Sequence, residues 1–482
     1  MISMYESFLL SRWTLALLLL LLLASVHAAS GQTLPPLTEI ERSEYLLNSY
    51  AESSHSLQWF GTPEAIERGQ SMDFEYESHQ DLITKFDDGV TFSTVDEEFE
   101  LRIRIMEQTD FKLFLPRNQE PARPGAYIPR FRTYFEGHIS KSFEYELSLQ
   151  RSIEGTFDVL DASVNFNPVD AFQIKVGRFL VPYSYDWFDH LEQYFMAPER
   201  GLYPLNFGLS REAGAMVWGD IDEGRLKYAL GLFSGQLSGL ADTNTTRDLV
   251  GYLNVRPFRH APLGEYFNIG LSGAYGDQAF AGETLPLRSS IQASENDEAA
   301  NAASSVFLSF EDDVEVLGRR NQGALHAAWY LGSMSLESEI EVGRFGYDKA
   351  GTKTDLSVFG YHVAASYFLT GEEVTGRSIV VPNRPFAPRS GFYGPGAIEP
   401  FVRYSYLTLG DEVFNDGLAD PSDWTRTVSM VDTGLNWYPN RYVKLYLDWQ
   451  VSLYDTPVLI EPATGQHVRQ SHTLWARMQV FF

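Results

Sequence analysis

The amino-acid sequence predicts an all-β fold, a 16-stranded antiparallel transmembrane β-barrel at residues 99–482, preceded by a short N-terminal helical segment. Three observations predict it. Segments of about ten residues alternate between apolar and polar side chains, as strands with one face in lipid require. The connections between these segments are alternately short and long. The chain also ends on an alternating run, from Leu474 to an aromatic Phe482.

Residues 1–28 have the features of a signal peptide. Arg12 precedes an apolar run at 14–26, and the sequence VHA at 26–28 is a small-residue cleavage site. The alternative of a membrane anchor is disfavoured because this run is well short of the roughly 20 apolar residues that a spanning helix needs. We therefore expect the mature chain to begin near Ala29.

Residues 29–98 are expected to form a periplasmic segment before the barrel. Apolar side chains at helical spacing, with acidic residues between them, predict a short amphipathic helix at 38–54. The rest of this segment is polar and has few alternating runs, so no barrel strand is predicted in it, and its composition is compatible with partial disorder.

Sixteen alternating segments follow. They lie near 99–108, 128–139, 141–151, 157–167, 170–179, 210–220, 224–234, 246–257, 265–277, 320–332, 334–347, 355–370, 397–410, 425–438, 440–453 and 470–482. Connections after odd-numbered segments are mostly long and those after even-numbered segments mostly short, which is the asymmetry of outer-membrane barrels. The link 371–396 is an exception, since it is a long connection after an even-numbered segment, where short connections are expected. It either lies beneath the barrel or marks an error in the strand count.

Composition and motifs exclude several classes of function. The chain has no Cys, which removes disulfides and thiolate metal sites, and its net charge of −27 makes nucleic-acid binding improbable. The motifs of serine hydrolases, zinc proteases and P-loop NTPases are absent, and the ten His residues are scattered. We predict no cofactor, metal site or enzyme activity, although separate strands could still assemble a catalytic site around His138 or His362.

A series of sequence blocks resembles the phosphate-selective porin O and P family. The blocks are RFR at 130–132 with FEG at 135–137, LDASVNF at 160–166, VGRFLVPY at 176–183, REAG at 211–214, YALGLFSG at 228–235, YFLTGE at 367–372, residues 399–405, and GLNWY at 434–438. Their order and spacing carry the resemblance. It implies a trimeric 16-stranded outer-membrane barrel with a third loop, at 180–209, that folds inward to narrow the pore. It also implies that Phe482 is recognised by the barrel assembly machinery.

Strand alternation predicts which charged side chains face the lumen. If the apolar positions face lipid, a group of basic residues lines one side of the pore and forms the candidate anion-binding set, together with one arginine of the third loop. These are Arg102, Arg104, Arg130, Arg132, Lys175 and Arg477, with Arg200 in the loop. The first strands therefore form a basic wall, which barrel closure would join to Arg477.

Acidic residues are expected to oppose this basic wall. They are Asp186, Asp189 and Glu192 in the third loop and a row of Glu337, Glu339 and Glu341 on one strand. An acidic side facing a basic side would produce a transverse field that favours small polar solutes. The alternative is that these charges only solvate a wide channel and pair with one another.

The sequence thus predicts a passive porin for small hydrophilic solutes, and the resemblance implies anions such as inorganic phosphate. The acidic loop and the negative net charge favour a non-selective or cation-tolerant porin instead. A structural or adhesive barrel with a plugged lumen also remains open. Expected partners are outer-membrane lipid, lipopolysaccharide and two further copies of the chain in a homotrimer. Acidic runs in the surface loops could hold divalent ions that bridge to lipopolysaccharide, but a solvated face is the favoured interpretation of these runs.

Overall fold

The computed structural model describes residues 81–152, 157–235, 245–258, 264–280, 284–290 and 302–482. The predicted signal peptide and the predicted helix at 38–54 lie outside these residues. Among the residues described, no helix has the length and apolarity needed to cross a membrane.

The described chain contains 22 strands, of which sixteen form a closed antiparallel barrel. The strands are β1 (Leu82–Asp87), β2 (Gly89–Thr94), β3 (Glu100–Leu115), β4 (Gly125–Ser140), β5 (Phe143–Ser152), β6 (Phe157–Val169), β7 (Phe172–Leu180), β8 (Arg211–Ile221), β9 (Leu226–Phe233), β10 (Asp248–Val255), β11 (Tyr266–Phe280), β12 (Leu287–Arg288), β13 (Val306–Leu308), β14 (Val314–Leu331), β15 (Met334–Lys349), β16 (Thr352–Tyr367), β17 (Phe386–Ala387), β18 (Phe392–Tyr393), β19 (Ala397–Leu409), β20 (Thr427–Asn440), β21 (Val443–Glu461) and β22 (Gln466–Phe481). The barrel consists of β3–β11, β14–β16 and β19–β22.

Closure of the barrel joins its first and last strands. β3 pairs with β22 from Met106 opposite Phe481 to Leu115 opposite His472. Below this point β3 continues, and its residues from Glu100 to Ile103 pair with β2. The hairpin β1–β2 therefore extends the sheet where the closing strand stops.

Alternation along the barrel strands separates an apolar outer face from a polar inner face. On β15, Ile340 and Val342 are 47% and 51% exposed, whereas Glu339 and Glu341 are 1% and 0% exposed. An outer face of exposed apolar side chains suits lipid, and an inner face of buried polar ones suits a filled lumen. The same contrast separates exposed Phe131 from buried Arg132 on β4.

Four connections carry short elements of their own. The third loop, residues 181–210 between β7 and β8, contains the short helices α1 (Tyr185–Phe188) and α2 (Leu202–Phe207) and the 3₁₀ turn Glu192–Tyr194. The loop between β11 and β14 contributes β12 and β13, and the loop between β19 and β20 contains α3 (Glu412–Asn415). The link 368–396 between β16 and β19 contains β17, β18 and the 3₁₀ turn Pro388–Ser390.

The predicted barrel and its sixteen strands are confirmed, but several strand limits differ from the prediction. β3 continues to Leu115 rather than 108, and β21 continues to Glu461 rather than 453. No strand is predicted before residue 99 from the sequence, yet β1 and β2 form a hairpin there. All six residues of β1 are exposed, so this strand has no buried face whose apolar pattern could reveal it.

Candidate functional site

The third loop is fastened to the basic wall by Glu199. Its carboxylate binds the Arg130 guanidinium through two hydrogen bonds of 2.6 and 2.7 Å, and it also accepts one of 2.8 Å from Arg477. Arg477 in turn makes two bonds of 2.6 and 2.9 Å to Asp110 on β3. Because Arg477, Asp110 and Glu199 are fully or almost fully buried, this cluster joins the loop to the strands that close the barrel.

A second ionic cluster holds the middle of the third loop. Glu192 lies 3.1 Å from a terminal nitrogen of Arg132 and 3.7 Å from one of Arg211. Arg132 also donates to the side-chain oxygen of Gln150, and Arg211 donates to Asp161. Each cation in this cluster therefore contacts carboxylate or amide oxygens rather than open water.

Side chains of the last four strands, β19–β22, bind the backbone of the third loop. Lys444 donates to the Phe195 carbonyl, Asn436 to the Met196 carbonyl, Gln479 to the Gln193 carbonyl and Arg403 to the Glu199 carbonyl. Buried donors from β19–β22 thus satisfy carbonyls that have no partner within a regular element. The loop is fixed along its length rather than at its ends alone.

The remaining acids of the loop pair locally. Asp186 lies 3.3 Å from Arg200, whose guanidinium stacks 3.8 Å from the centre of the Trp187 ring. Asp189 accepts from Lys227 on β9 and from the Tyr252 hydroxyl on β10.

The acid row of β15 also contacts the third loop or the link below it. Glu339 accepts from the Ser184 hydroxyl at 2.9 Å and from the backbone amides of Tyr185 and Asp186 at 2.8 and 3.1 Å. Glu337 accepts from Arg377 of the link 368–396 at 2.8 Å. Among the described residues, neither carboxylate oxygen of Glu341 has a hydrogen-bond partner.

The link 368–396 reaches the lumen through Arg377. This guanidinium bridges Glu337 of β15 and Glu399 of β19, at 2.8 and 2.7 Å, and also donates to the Ser366 hydroxyl. The link therefore does not mark an error in the strand count. It lies at the end of the barrel that carries the β14–β15 and β20–β21 turns, and its Arg377 reaches the acid row of β15.

Apolar side chains fill part of the lumen on the side of β14–β16 and β19–β21. Residues of the third loop, of β12 and β13 and of the α3 loop pack on the inner faces of β14–β16 and β19–β21. The cluster includes Leu202, Tyr203 and Phe207 from the third loop, Leu287, Phe307 and Leu308 from the β11–β14 loop, and Val413 and Leu418 from the α3 loop. This apolar packing leaves the polar space to the side of β3–β8.

A cavity of about 510 Å³ follows the wall of β3–β8 beneath the third loop. Charged residues of both signs line it, and most of them are paired with one another, along a strand or between strands. Arg104 lies 2.6 Å from Glu136, Lys175 lies 2.9 Å from Glu146, and Arg102 lies 3.1 Å from Glu100. The lining charges are Arg102, Arg104, Lys175 and Arg211 against Glu100, Glu136, Glu144, Glu146 and Asp161.

The ion pairs keep the loop carboxyls ionised. Burial opposes the charge of Glu199, but Arg130 and Arg477 outweigh it and lower the pKa of Glu199 to about 2. Burial likewise opposes the charge of Glu192, and Arg132 and Arg211 hold its pKa well below the ordinary value. Both carboxylates are therefore charged anchors at neutral pH.

Comparison with known families decides the class of this barrel. The family model described as phosphate-selective porin O and P matches residues 99–482, which is the whole of the barrel. The chain belongs to this family. Membership in the phosphate-selective porin O and P family places the protein in the bacterial outer membrane and makes it a channel-type barrel.

Individual relatives of this porin are distant. Porin O of Pseudomonas aeruginosa is 25% identical over 396 residues, which cover 76% of this chain and 85% of that protein. Among solved structures, the anion-selective porin from Comamonas acidovorans is 12% identical with a TM-score of 0.48, covering 80% of this chain and all of the other. Salmonella typhi OmpF in complex with daunomycin is 11% identical with a TM-score of 0.49, covering 83% and 100%.

The predicted lumen residues of this porin lie on the inner face, but they do not form two opposed walls. We expected the acids of the third loop to face the basic wall across open water. Instead Glu192 and Glu199 contact that wall directly, because the loop packs against it. Glu337 and Glu339 likewise bind Arg377 and the start of α1. The charges of the basic wall therefore pair locally, as in the alternative interpretation, and the transverse field across the lumen stays a prediction.

Several residues of this site were not among the sequence candidates. Asp110 was missed because β3 was ended too early, although continued alternation would have placed it inward. Arg377 was missed because the link 368–396 has no strand pattern. Glu199 lies in the predicted third loop and Arg211 in a predicted strand. No sequence pattern indicates that Glu199 pairs with Arg477 or that Arg211 pairs with Asp161.

Proposed function

We propose that this porin is a passive, water-filled channel for small hydrophilic solutes, with weak selectivity between anions and cations. The solute path runs along β3–β8, beneath the third loop. The observation that carries the proposal is the mixed lining of the cavity, in which Arg104 and Lys175 lie beside Glu136 and Glu146.

Neutralisation of the basic wall argues against strong phosphate selectivity. Arg130, Arg132 and Arg477 would be the natural ligands of a phosphate, since arginine binds oxyanions through two parallel hydrogen bonds. Their guanidiniums are instead engaged by Glu199, Glu192 and Asp110. A phosphate would have to displace carboxylates that are part of the same rigid packing. The family description supports phosphate as the competing solute.

Electrical recording from single channels in planar bilayers tests the proposal. We expect a reversal potential close to zero in a tenfold gradient of KCl, because fixed charges of both signs line the path. A reversal potential near the Nernst value for chloride would overturn weak selectivity. Block of chloride current by micromolar phosphate would identify the phosphate-selective alternative, and absence of conductance would overturn the channel altogether.

We also propose that the chain is a homotrimer with lipid contacts on its longer strands. β9 and β10 have eight residues each, whereas β14 has 18 and β21 has 19. Eight tilted residues give a height of about 20 Å, below the apolar band of about 25 Å of such barrels. A neighbouring subunit would cover the part of the barrel wall that β9 and β10 form. Mass measurement of the detergent-solubilised protein tests this, and a monomer would overturn it.

Three further contacts belong to the same proposal. Outer-membrane lipid would cover the exposed apolar face, lipopolysaccharide would bind the outer loops through divalent ions, and the barrel assembly machinery would recognise the terminal Phe482. Deletion of Phe482 should lower the amount of folded protein in the outer membrane, and an unchanged amount would contradict recognition of this end.

A further inference from the structure

Three metal-ligating side chains meet on the inner wall between β15 and β16. Each of Glu339, Glu341 and His362 offers a ligand atom within 4.8 Å of the other two. Strand register explains the grouping, since Glu339 lies directly opposite His362 and Glu341 lies two residues along the same face. His362 lies 21 and 23 positions after Glu341 and Glu339 along the chain, so no sequence spacing groups it with them.

Two of the three side chains have unsatisfied polar atoms. Glu341 is 0% exposed, and within the described part of the chain neither of its oxygens has a hydrogen-bond partner. The Nδ1 atom of buried His362 also has no partner among these residues. A buried carboxylate without a partner is costly, so a ligand that supplies positive charge would stabilise this cluster.

The cations nearby are committed to other carboxylates. Arg200 binds Asp186 and the His190 carbonyl, and Arg377 binds Glu337 and Glu399. Within the described ranges, Glu339 is bound by neutral donors, from Ser184 and two backbone amides. Neither Glu339 nor Glu341 therefore has a cationic partner in direct contact in this part of the chain.

We propose that Glu339, Glu341 and His362 hold one divalent transition-metal ion of the class of Zn²⁺. Two carboxylates and one imidazole suit this class, whereas Mg²⁺ and Ca²⁺ take oxygen ligands. Ligand atoms of a tetrahedral zinc site are roughly 3.4 Å apart, so modest side-chain rotation closes the observed separation. The carboxylate of Glu341 supplies unused oxygens, and His362 supplies the free nitrogen.

The ion would also fasten the third loop. Glu339 is both a ligand and the acceptor that holds Ser184 and the first amides of α1. Ser184 has a φ of 67°, a conformation that residues other than glycine adopt only when their surroundings hold them there. Gly360, opposite Glu341, leaves the space into which Tyr203 of the loop packs. Metal binding and loop position are therefore coupled at one carboxylate.

Zinc titration of the untagged, folded full-length porin tests the proposal. After removal of bound metal with a chelator, we expect one Zn²⁺ per chain. Glu341→Gln and His362→Gln should each weaken binding at least tenfold, while the matched control Glu337→Gln, from the same row, should retain wild-type affinity. Heat-modifiable mobility on a gel verifies that each variant is folded.

X-ray absorption at the zinc edge of the wild-type protein provides a readout that requires no variant. We expect one imidazole and otherwise oxygen ligands. Less than one ion per chain, a zinc shell without imidazole, or equal zinc affinity in wild type and folded Glu341→Gln would each overturn the proposal.

Discussion

Glu199 of the third loop and Arg477 of the closing strand β22 form a buried ion pair of 2.8 Å, and the same guanidinium binds Asp110 of the first barrel strand. One arginine thus joins the two strands that close the barrel and the loop that fills it. Removal of a partner from such a cluster leaves uncompensated buried charge, which is more costly than the loss of a surface pair.

Glu199→Gln should release the third loop from the basic wall. The substitution removes the ion pairs to Arg130 and Arg477, and we expect it to weaken docking of the loop by about 3–5 kcal/mol. Single-channel conductance should become larger and noisier. Exposed Glu98→Gln is the matched control and should leave conductance unchanged. Identical conductance in both variants would show that Glu199 does not hold the loop.

Acid should release the loop only at very low pH. The pKa of Glu199 is lowered to about 2, from an ordinary value of 4.5. A depressed pKa contributes stability that is fully present above 4.5 and is lost as the pH falls through about 2, here about 3 kcal/mol. Conductance recorded from pH 7 to 2 should therefore change only below about pH 4, and the change should be absent in Glu199→Gln.

Arg477 and Asp110 should be energetically coupled. Arg477→Met or Asp110→Leu alone leaves a buried charge and should cost about 3–5 kcal/mol in the stability of the barrel, whereas the double variant should cost less than their sum. Urea unfolding followed by tryptophan fluorescence measures the three values. Strict additivity would mean that the pair does not stabilise the closure of the barrel.

Single substitutions in the cavity should shift charge selectivity in opposite directions. Glu146→Gln leaves Lys175 unpaired and should favour anions, while Lys175→Met should favour cations. One unit charge at about 8 Å in water is worth about 0.5 kcal/mol, roughly a twofold change in the permeability ratio. Reversal potentials measure the shift. Exposed Lys353→Met, away from the cavity, should have no effect.

Arg377→Ala should free the link 368–396 from the lumen. The change leaves Glu337 and Glu399 buried without their cation, so the anchored part of the link should open more often. Amide hydrogen exchange in residues 371–383 should accelerate at least tenfold. Exposed Arg389→Ala in the same link is the control, and equal exchange in both variants would contradict the anchor.

The barrel could be predicted from sequence because its determinants are periodic. Ile340 and Val342 alternate with Glu339 and Glu341, and that pattern alone assigns each residue to lipid or lumen. The pairing of those lumen residues could not be predicted. Alternation states that Arg132 points inward, but only the path of the third loop determines that Glu192 meets it there.

The zinc ligands illustrate the same limit. His362 carried no spacing signal in the sequence, since its neighbours Glu339 and Glu341 come from another strand and are brought to it by register. Arg377 differs from His362 because it lies in a link that has no alternation of apolar and polar residues. Only the folded path of that link brings Arg377 to Glu337.

The hairpin β1–β2 has a consequence for traffic between the periplasm and the pore. Its turn places Asp88 3.5 Å from Arg104, a cation of the cavity lining, and its outer edge is tied to the rim by Arg441 and Asp87. Displacement of the hairpin would separate Asp88 from Arg104 and leave this cation with one carboxylate fewer beside it. The position of the hairpin therefore sets how much uncompensated positive charge the mouth of the cavity presents.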